Sequence, residues 1–225
     1  MKFYVYNWYK FTIILFIILS FITGLWGNTI LSSLQIILMH SLLALFVHQF
    51  EEYVFPGGGP AVINKGNFSE SKYYRSYPGN MLSSMIVNNS AWLVYTAAII
   101  FPETIWLGLG TMFFNLFQLI GHGIKMNIGM KTWYNPGFAS TVFLLVPISV
   151  YYLFFINNNR LATSTDYVLG IVAFFLTMLL TTILPVQLLK NKNTQYVIPE
   201  WQVKQMNAVQ AFASLNRKKK KRTFN

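Results

Sequence analysis

Cysteine is absent from these 225 residues, which excludes disulfides, thiolate metal ligands and a cysteine nucleophile together. Acid is nearly as scarce, with six aspartates and glutamates against 17 lysines and arginines. Charged residues of both signs make up only 10% of the chain, and hydrophobic residues 54%. Soluble domains carry about 25% charged residues, so this composition excludes an ordinary soluble domain and indicates a membrane protein. Any metal must be held by histidine, carboxylate or amide. The formal charge of +11 does not point to nucleic acid. Nine of the 17 cations follow Leu189 and the others flank apolar runs, which is the distribution of a topology signal.

A hydrocarbon core of ~30 Å takes roughly 20 apolar residues per crossing helix. Six stretches qualify, near residues 9–27, 29–50, 81–101, 104–124, 137–156 and 167–189. Lys2 and Lys10 ahead of the first imitate a signal peptide, but no small-x-small cleavage site follows and the next span comes almost at once. With the N-terminus in the cytoplasm, the inner segments hold 16 cations and the outer ones only Arg160. The expectation is therefore all-α: a polytopic membrane helix bundle of about six transmembrane helices over residues 1–189, with cytoplasmic N- and C-termini. Residues 190–225 form a basic amphipathic cytoplasmic tail.

This topology sets where the polar residues fall. The second helix ends in His48-Gln49-Phe50-Glu51-Glu52, with His40 two turns deeper. Taking His40 as zero and ~100° per residue, Glu51 falls near 20°, His48 near 80° and Glu52 near 120°, one face in all. In the fourth helix Asn115, Gln118 and His122 lie within roughly 60° of one another. Asn88 and Asn89 occupy the inner half of the third. A helix C-terminus disfavours each carboxylate by ~0.3–1 kcal/mol, and ionisable groups at membrane depth must pair. Glu51 and Glu52 thus call for a cation, either a metal or one of Lys65, Lys72, Arg75, Lys125 and Lys131.

These residues resemble a known family. His48-Gln49-Phe50-Glu51-Glu52 is similar to the motif that names the HXXEE domain family of prokaryotic membrane proteins. Gln118-Leu119-Ile120-Gly121-His122 resembles its N-x-x-x-H motif, with glutamine for asparagine. Tyr134-Asn135-Pro136-Gly137-Phe138-Ala139-Ser140 resembles Y-x-P-G-x-x-T, with serine for threonine. The likeness covers roughly residues 29–156 and implies a multi-pass protein of the prokaryotic plasma membrane, without an established activity. Intramembrane proteases of the Abi type carry E-E-x-x-x-R, and that arginine is lacking here.

The residue types admit a metal site. His48 and Glu52 stand i,i+4 and can share an ion, and His122 supplies a third ligand, with Asn115 and Gln118 in support. Two histidines and a glutamate leave a zinc ion one open position, and iron or manganese suits the same donors less selectively. In this reading Glu51 or Glu52 is the general base, Tyr134 a proton donor or substrate contact, and His40 a hydrogen-bonded core residue. The chemistry is hydrolysis of a membrane-associated substrate. The alternatives are a small-solute transporter, and a non-enzymatic scaffold or immunity protein in which the same groups form a structural network. Pro56-Gly57-Gly58-Gly59-Pro60 reads as a flexible turn, and Tyr73, Tyr74, Arg75 and Tyr77 as an interfacial belt or a lid. After the last span, Met206, Val209, Phe212 and Leu215 mark an amphipathic helix on the inner membrane surface. The six cations from Arg217 to Arg222 attract anionic lipids of the bilayer at ~1 kcal/mol per charge.

Overall fold

The structure is a computed structural model that describes residues 1–215; the basic run at 217–222 lies outside the described residues. It consists of helices: α1 (Lys2–Ile30), α2 (Ser33–Tyr53), the short α3 (Gly59–Val62), α4 (Met81–Ile100), α5 (Ile105–Met130), α6 (Phe138–Asn158), α7 (Ser164–Leu189) and α8 (Glu200–Ala213). Side chains cap three of them. Ser32 with Gln35, Asn80 with Ser83, and Thr163 with Asp166 form capping boxes at α2, α4 and α7, satisfying donors that have no partner within the helix.

Five of these helices, α1, α2, α5, α6 and α7, are long and apolar enough to cross a membrane. The remaining expected span, α4, forms 20 helical residues, but Ser83, Ser84, Asn88, Asn89 and Ser90 dilute its hydropathy. It nonetheless runs the length of the bundle. At one end Gln35 Nε2 of α2 donates to Ile99 O at 3.0 Å, and at the other Asn80 Nδ2 donates to Leu189 O at 2.9 Å.

Hydrogen bonds fix which termini meet. Tyr6 at the start of α1 donates to Val197 O at 3.2 Å, Gln202 Nε2 to Tyr53 O at 2.9 Å, and Gln210 Nε2 to Met130 O at 3.1 Å. One end of the bundle therefore gathers the start of α1, the ends of α2, α5 and α7, and the whole of α8. With α4 counted among the helices that run along the bundle, both described ends of the chain come together there.

That end is built more tightly than a flexible turn would be. Gly57 and Gly58 take φ of +76° and +95°, the left-handed region that glycine enters without cost. A Cβ on Gly58 would lie 2.6 Å from Met206 N, so its bare backbone lets α8 rest against it. Residues 57–60 are buried, and Gln202 Oε1 accepts the Gly58 N–H while its amide serves the α2 terminus. The glycines are a docking surface, which corrects the expectation of a flexible segment. The apolar face of α8 divides accordingly: Met206 and Val209 pack into the bundle, while Phe212 and Leu215 remain exposed. The aromatic belt takes up cations, with Lys65 Nζ 4.2 Å from the Tyr74 ring and Lys192 Nζ 4.9 Å from that of Tyr73.

Besides Ile63–Asn67, which runs on from α3, three π-helical stretches interrupt long helices: Leu119–Met126 in α5, Thr141–Leu145 in α6 and Met178–Ile183 in α7. Such i→i+5 segments are rare and occur frequently at functional sites. Each of these lies in the half of the bundle that carries the polar residues.

Candidate metal centre

The last two turns of α2 and the π-helical stretch of α5 bring His48, Glu52 and His122 together, all three buried, with one ligand atom of each within 4.8 Å of the others. Glu52 stands between the rings: its Oε2 lies 4.0 Å from His48 Nε2 and its Oε1 3.5 Å from His122 Nε2. Tetrahedral ligands at 2.0–2.1 Å from zinc sit ~3.3–3.4 Å apart, so a small contraction brings these atoms onto one ion. The imidazoles meet edge to face, with centroids 4.8 Å apart.

The other nitrogen of each ring decides what Nε2 offers. His122 Nδ1 lies 2.7 Å from Asn135 Oδ1, and the Asn135 amide is oriented by donating to His122 O at 2.7 Å and to Asn127 Oδ1 at 2.8 Å. That oxygen can only accept, so His122 carries its proton on Nδ1. His48 Nδ1 lies 3.1 Å from Ser140 Oγ, whose own proton goes to Glu51 Oε2. Thr141 Oγ1, 3.4 Å from the same nitrogen, spends its proton on Gly137 O at 2.6 Å. His48 is therefore also protonated at Nδ1. Two bare Nε2 lone pairs and the Glu52 carboxyl face one another at the centre with no N–H among them, and the buttressing of Nδ1 is the arrangement by which metal-ligating histidines are oriented.

Glu51 has a different fate from its neighbour. Its Oε1 accepts from Tyr134 Oη at 2.8 Å and from Ala139 N at 3.1 Å, and its Oε2 accepts from Ser140 N at 2.7 Å and from Ser140 Oγ. Ala139 and Ser140 are in the first turn of α6, where N–H groups lack intrahelical partners and the helix dipole favours negative charge. The C-terminus of α2 thus meets the N-terminus of α6, and Glu51 caps that helix from outside it. Its charge is compensated without any lysine, and its four acceptor sites are filled. Burial, then the adjacent carboxylate, push the Tyr134 phenol above its ordinary value, so Tyr134 stays a neutral donor to Glu51.

The remaining expected residues scatter. His40 is exposed in a cleft shared with Phe16, Ser20 and Thr23, and makes no hydrogen bond among the described residues; it is neither a core residue nor part of the centre. Asn115 is buried but points into the middle of the bundle, where it accepts from Tyr95 and donates to Ser41 Oγ at 2.9 Å. Gln118 lines the cavity beside the centre. An α-helical wheel places Asn115, Gln118 and His122 together; with the π-helical stretch that begins at Leu119, His122 shares the cavity with Gln118 and not with Asn115. Asn88 Nδ2 holds Tyr53 Oη at 3.1 Å, and Asn89 Nδ2 holds Tyr4 Oη at 2.7 Å. Among the described residues no lysine or arginine pairs with Glu51 or Glu52; Arg75 pairs instead with Glu200 at 3.0 Å. Sequence reasoning gave no role to Asn135, Gly137 and Ser140, although the Tyr134-to-Ser140 motif was the signal that contained them.

A cavity of about 190 Å³ adjoins the centre, bounded by α2, α4, α5, α7 and the segment after α3. Its walls run from Glu52, His122 and Asn67 to Leu45, Phe114 and Met178. The family model described as "Protein of unknown function with HXXEE motif" matches residues 39–152, from the second turn of α2 into α6. No curated protein and no solved structure matches the chain.

Proposed function

The chain belongs to the family of proteins of unknown function with the HXXEE motif, and from this premise we propose that it is a metal-dependent membrane hydrolase acting on a membrane-associated substrate. One observation carries the reading: three buried acceptor atoms converge, with the two histidine tautomers fixed so that no N–H points inward. Without an ion, only a proton held by Glu52 itself would give that point a donor, and facing unsatisfied acceptors in a dry site are costly. A divalent cation satisfies all three. His48, Glu52 and His122 would hold it, with zinc favoured by two histidines and a carboxylate in a small site, ahead of iron or manganese.

Such an ion, when bound, polarises a carbonyl and lowers the pKa of water. The chain's own residues do the rest. Ser140 and Asn135 hold the two imidazoles, Glu51 and Tyr134 hold Ser140 and the α6 terminus, and the apolar walls of the cavity exclude bulk water. Glu52 is the one carboxylate at the centre with lone pairs to spare, and it is the group we assign to proton movement as well as to the metal. Transport is the weaker reading. In the other half of the bundle Leu38, Leu42, Leu109, Met112, Tyr152 and Ile156 pack into a buried core, and the polar groups next to it, Tyr95, Asn115 and Ser41, are bonded to one another.

Protein purified in mild detergent without a histidine tag is expected to retain about one divalent ion per chain by elemental analysis. His48→Ala, His122→Ala and Glu52→Gln are each expected to lose it. Wild type that remains folded yet metal-free after supplementation with zinc, iron and manganese would overturn the proposal.

We place the end of the bundle that carries α8 and the centre in the cytoplasm of a prokaryotic cell, with the basic run at 217–222 against anionic lipid. Lys65, Lys72, Arg75, Lys125 and Lys131 all lie in segments at that end, as the positive-inside rule requires. Reporter fusions are expected to mark Lys72 as inside and Asn158 as outside. An outward reporter at Lys72 would reverse the assignment.

A further inference from the structure

We propose that the site takes an uncharged acyl amphiphile, an ester or amide with a hydrogen-bond donor near its carbonyl, which inserts tail first into the cavity; this rests on the metal-hydrolase reading. Three observations carry it. The cavity is polar at one end and apolar at the other. His48, Glu52, His122 and Asn67 stand at the first, and Leu45, Ala91 and Phe114 at the second, where all three belong to the buried core. A ligand that satisfies both ends is itself amphiphilic.

Among the described residues no lysine or arginine lines it. Phosphate is ordinarily gripped by such side chains in bidentate or clamp fashion. A divalent ion balanced by the Glu52 carboxylate leaves a single net positive charge, too little to desolvate a phosphate dianion between Phe114, Phe117 and Met178. A phosphate dianion is therefore disfavoured, and an uncharged headgroup needs none of these side chains.

Hydrogen-bonding capacity is left open beside the centre. Asn67 Oδ1 is buried without a partner, and Gln118 makes no hydrogen bond among the described residues although it lines the same space. An unpaired buried acceptor is costly, so the ligand that fits brings a donor, a hydroxyl or an amide N–H. The volume of about 190 Å³ equals the liquid share of about six waters at ~30 Å³ each. It holds the scissile group and a short length of chain, and the tail continues toward the bundle interior or the bilayer. In the reaction, water adds its hydroxyl to the acyl carbon and the C–O or C–N bond breaks. The proton passes to the departing alcohol or amine, and a fatty acid remains.

Cobalt(II) loaded into the purified full-length protein reports both the metal and the cavity through its visible absorption. Decanoyl hydroxamate is expected to shift that spectrum at a concentration roughly tenfold or more below acetohydroxamate, because its methylenes are buried. Decyl phosphate is expected to shift it no better than inorganic phosphate. Gly121 lines the cavity with only Gln118 Oε1 near it, at 4.0 Å, so Gly121→Leu fills the space; it should keep the cobalt spectrum and lose the chain-length preference. Thr182→Leu, on the opposite wall, serves the same end from another helix. An absent cobalt spectrum overturns the metal reading and this inference together. A normal spectrum with equal responses to the two hydroxamates, or with a stronger response to decyl phosphate, overturns this inference alone. So does a chain-length preference that survives both leucine substitutions, since it would then reflect the detergent micelle.

Discussion

In metal-stripped protein, Glu51→Gln is expected to lower stability by about 3 kcal/mol or more, while Glu52→Gln, one residue along the same helix, is expected to cost nothing or to raise it. The two carboxylates differ in what faces them. Glu51 receives four donors, from Tyr134, Ala139 and twice from Ser140. Glutamine in its place must turn an NH₂ toward two of those donors, leaving them buried and opposed by another donor. It also removes the negative charge that offsets the α6 N-terminus. Glu52 in the absence of metal faces two Nε2 lone pairs, at 3.5 and 4.0 Å. A glutamine there supplies an N–H to one of them and puts no ionisable group in the buried site. Thermal or denaturant unfolding of the two variants after chelation measures the difference. Equal destabilisation would mean that Glu51 and Glu52 act as one network, and the division of labour between them would be wrong. With metal restored the order partly inverts, because Glu52→Gln loses the stabilisation that the ion lends the wild type.

The spans could be read from composition because a hydrocarbon core demands long apolar helices, and the observed helices lie on the expected stretches. α4 was recognisable by length although its serines and asparagines weaken its hydropathy, since its polar groups face Tyr4 and Tyr53 across the bundle. Of the site, His48, Glu52 and His122 were legible from their spacing on α2 and from a motif on α5. What could not be read was orientation within a motif. The sequence shows two adjacent glutamates at a helix C-terminus, and their cost suggests a cation for both. That the N-terminus of another helix serves one of them is a fact of tertiary packing. His40 shares the α2 face by angle, yet the cleft beside α1 leaves it outside the bundle core. Asn115 was lost to the π-helical register, which no pattern of apolar residues announces. The glycines before α3 looked like a loose turn for want of their partner, α8, which lies more than a hundred residues downstream.

Gly137→Ala is expected to abolish stoichiometric metal binding and to lower stability by about 3 kcal/mol, summing a left-handed backbone penalty of ~1–2 kcal/mol with overpacking of ~1–3 kcal/mol. Gly137 has φ +99°. A methyl group there would lie 2.4 Å from His122 Cε1, 2.8 Å from His122 Nδ1 and 2.9 Å from His48 Cε1. Neither ring can swing aside freely, because His122 is tied to Asn135 and His48 to Ser140 through their Nδ1 atoms. The methyl must therefore break one of those bonds or push α6 away from α2, and the second course pulls Ser140 and Ala139 off Glu51. Either way the two Nε2 atoms no longer converge on Glu52. Gly24→Ala is the control: nothing lies within 4 Å of its added carbon, and alanine is the better helix former by ~0.8–1.0 kcal/mol, so that variant should keep its metal and lose no stability. Elemental analysis and thermal unfolding of both variants decide the matter. A Gly137→Ala protein with wild-type metal content would show that the ion, if bound, is held away from the histidine pair, because no cation can sit between His48 and His122 once the rings are forced apart.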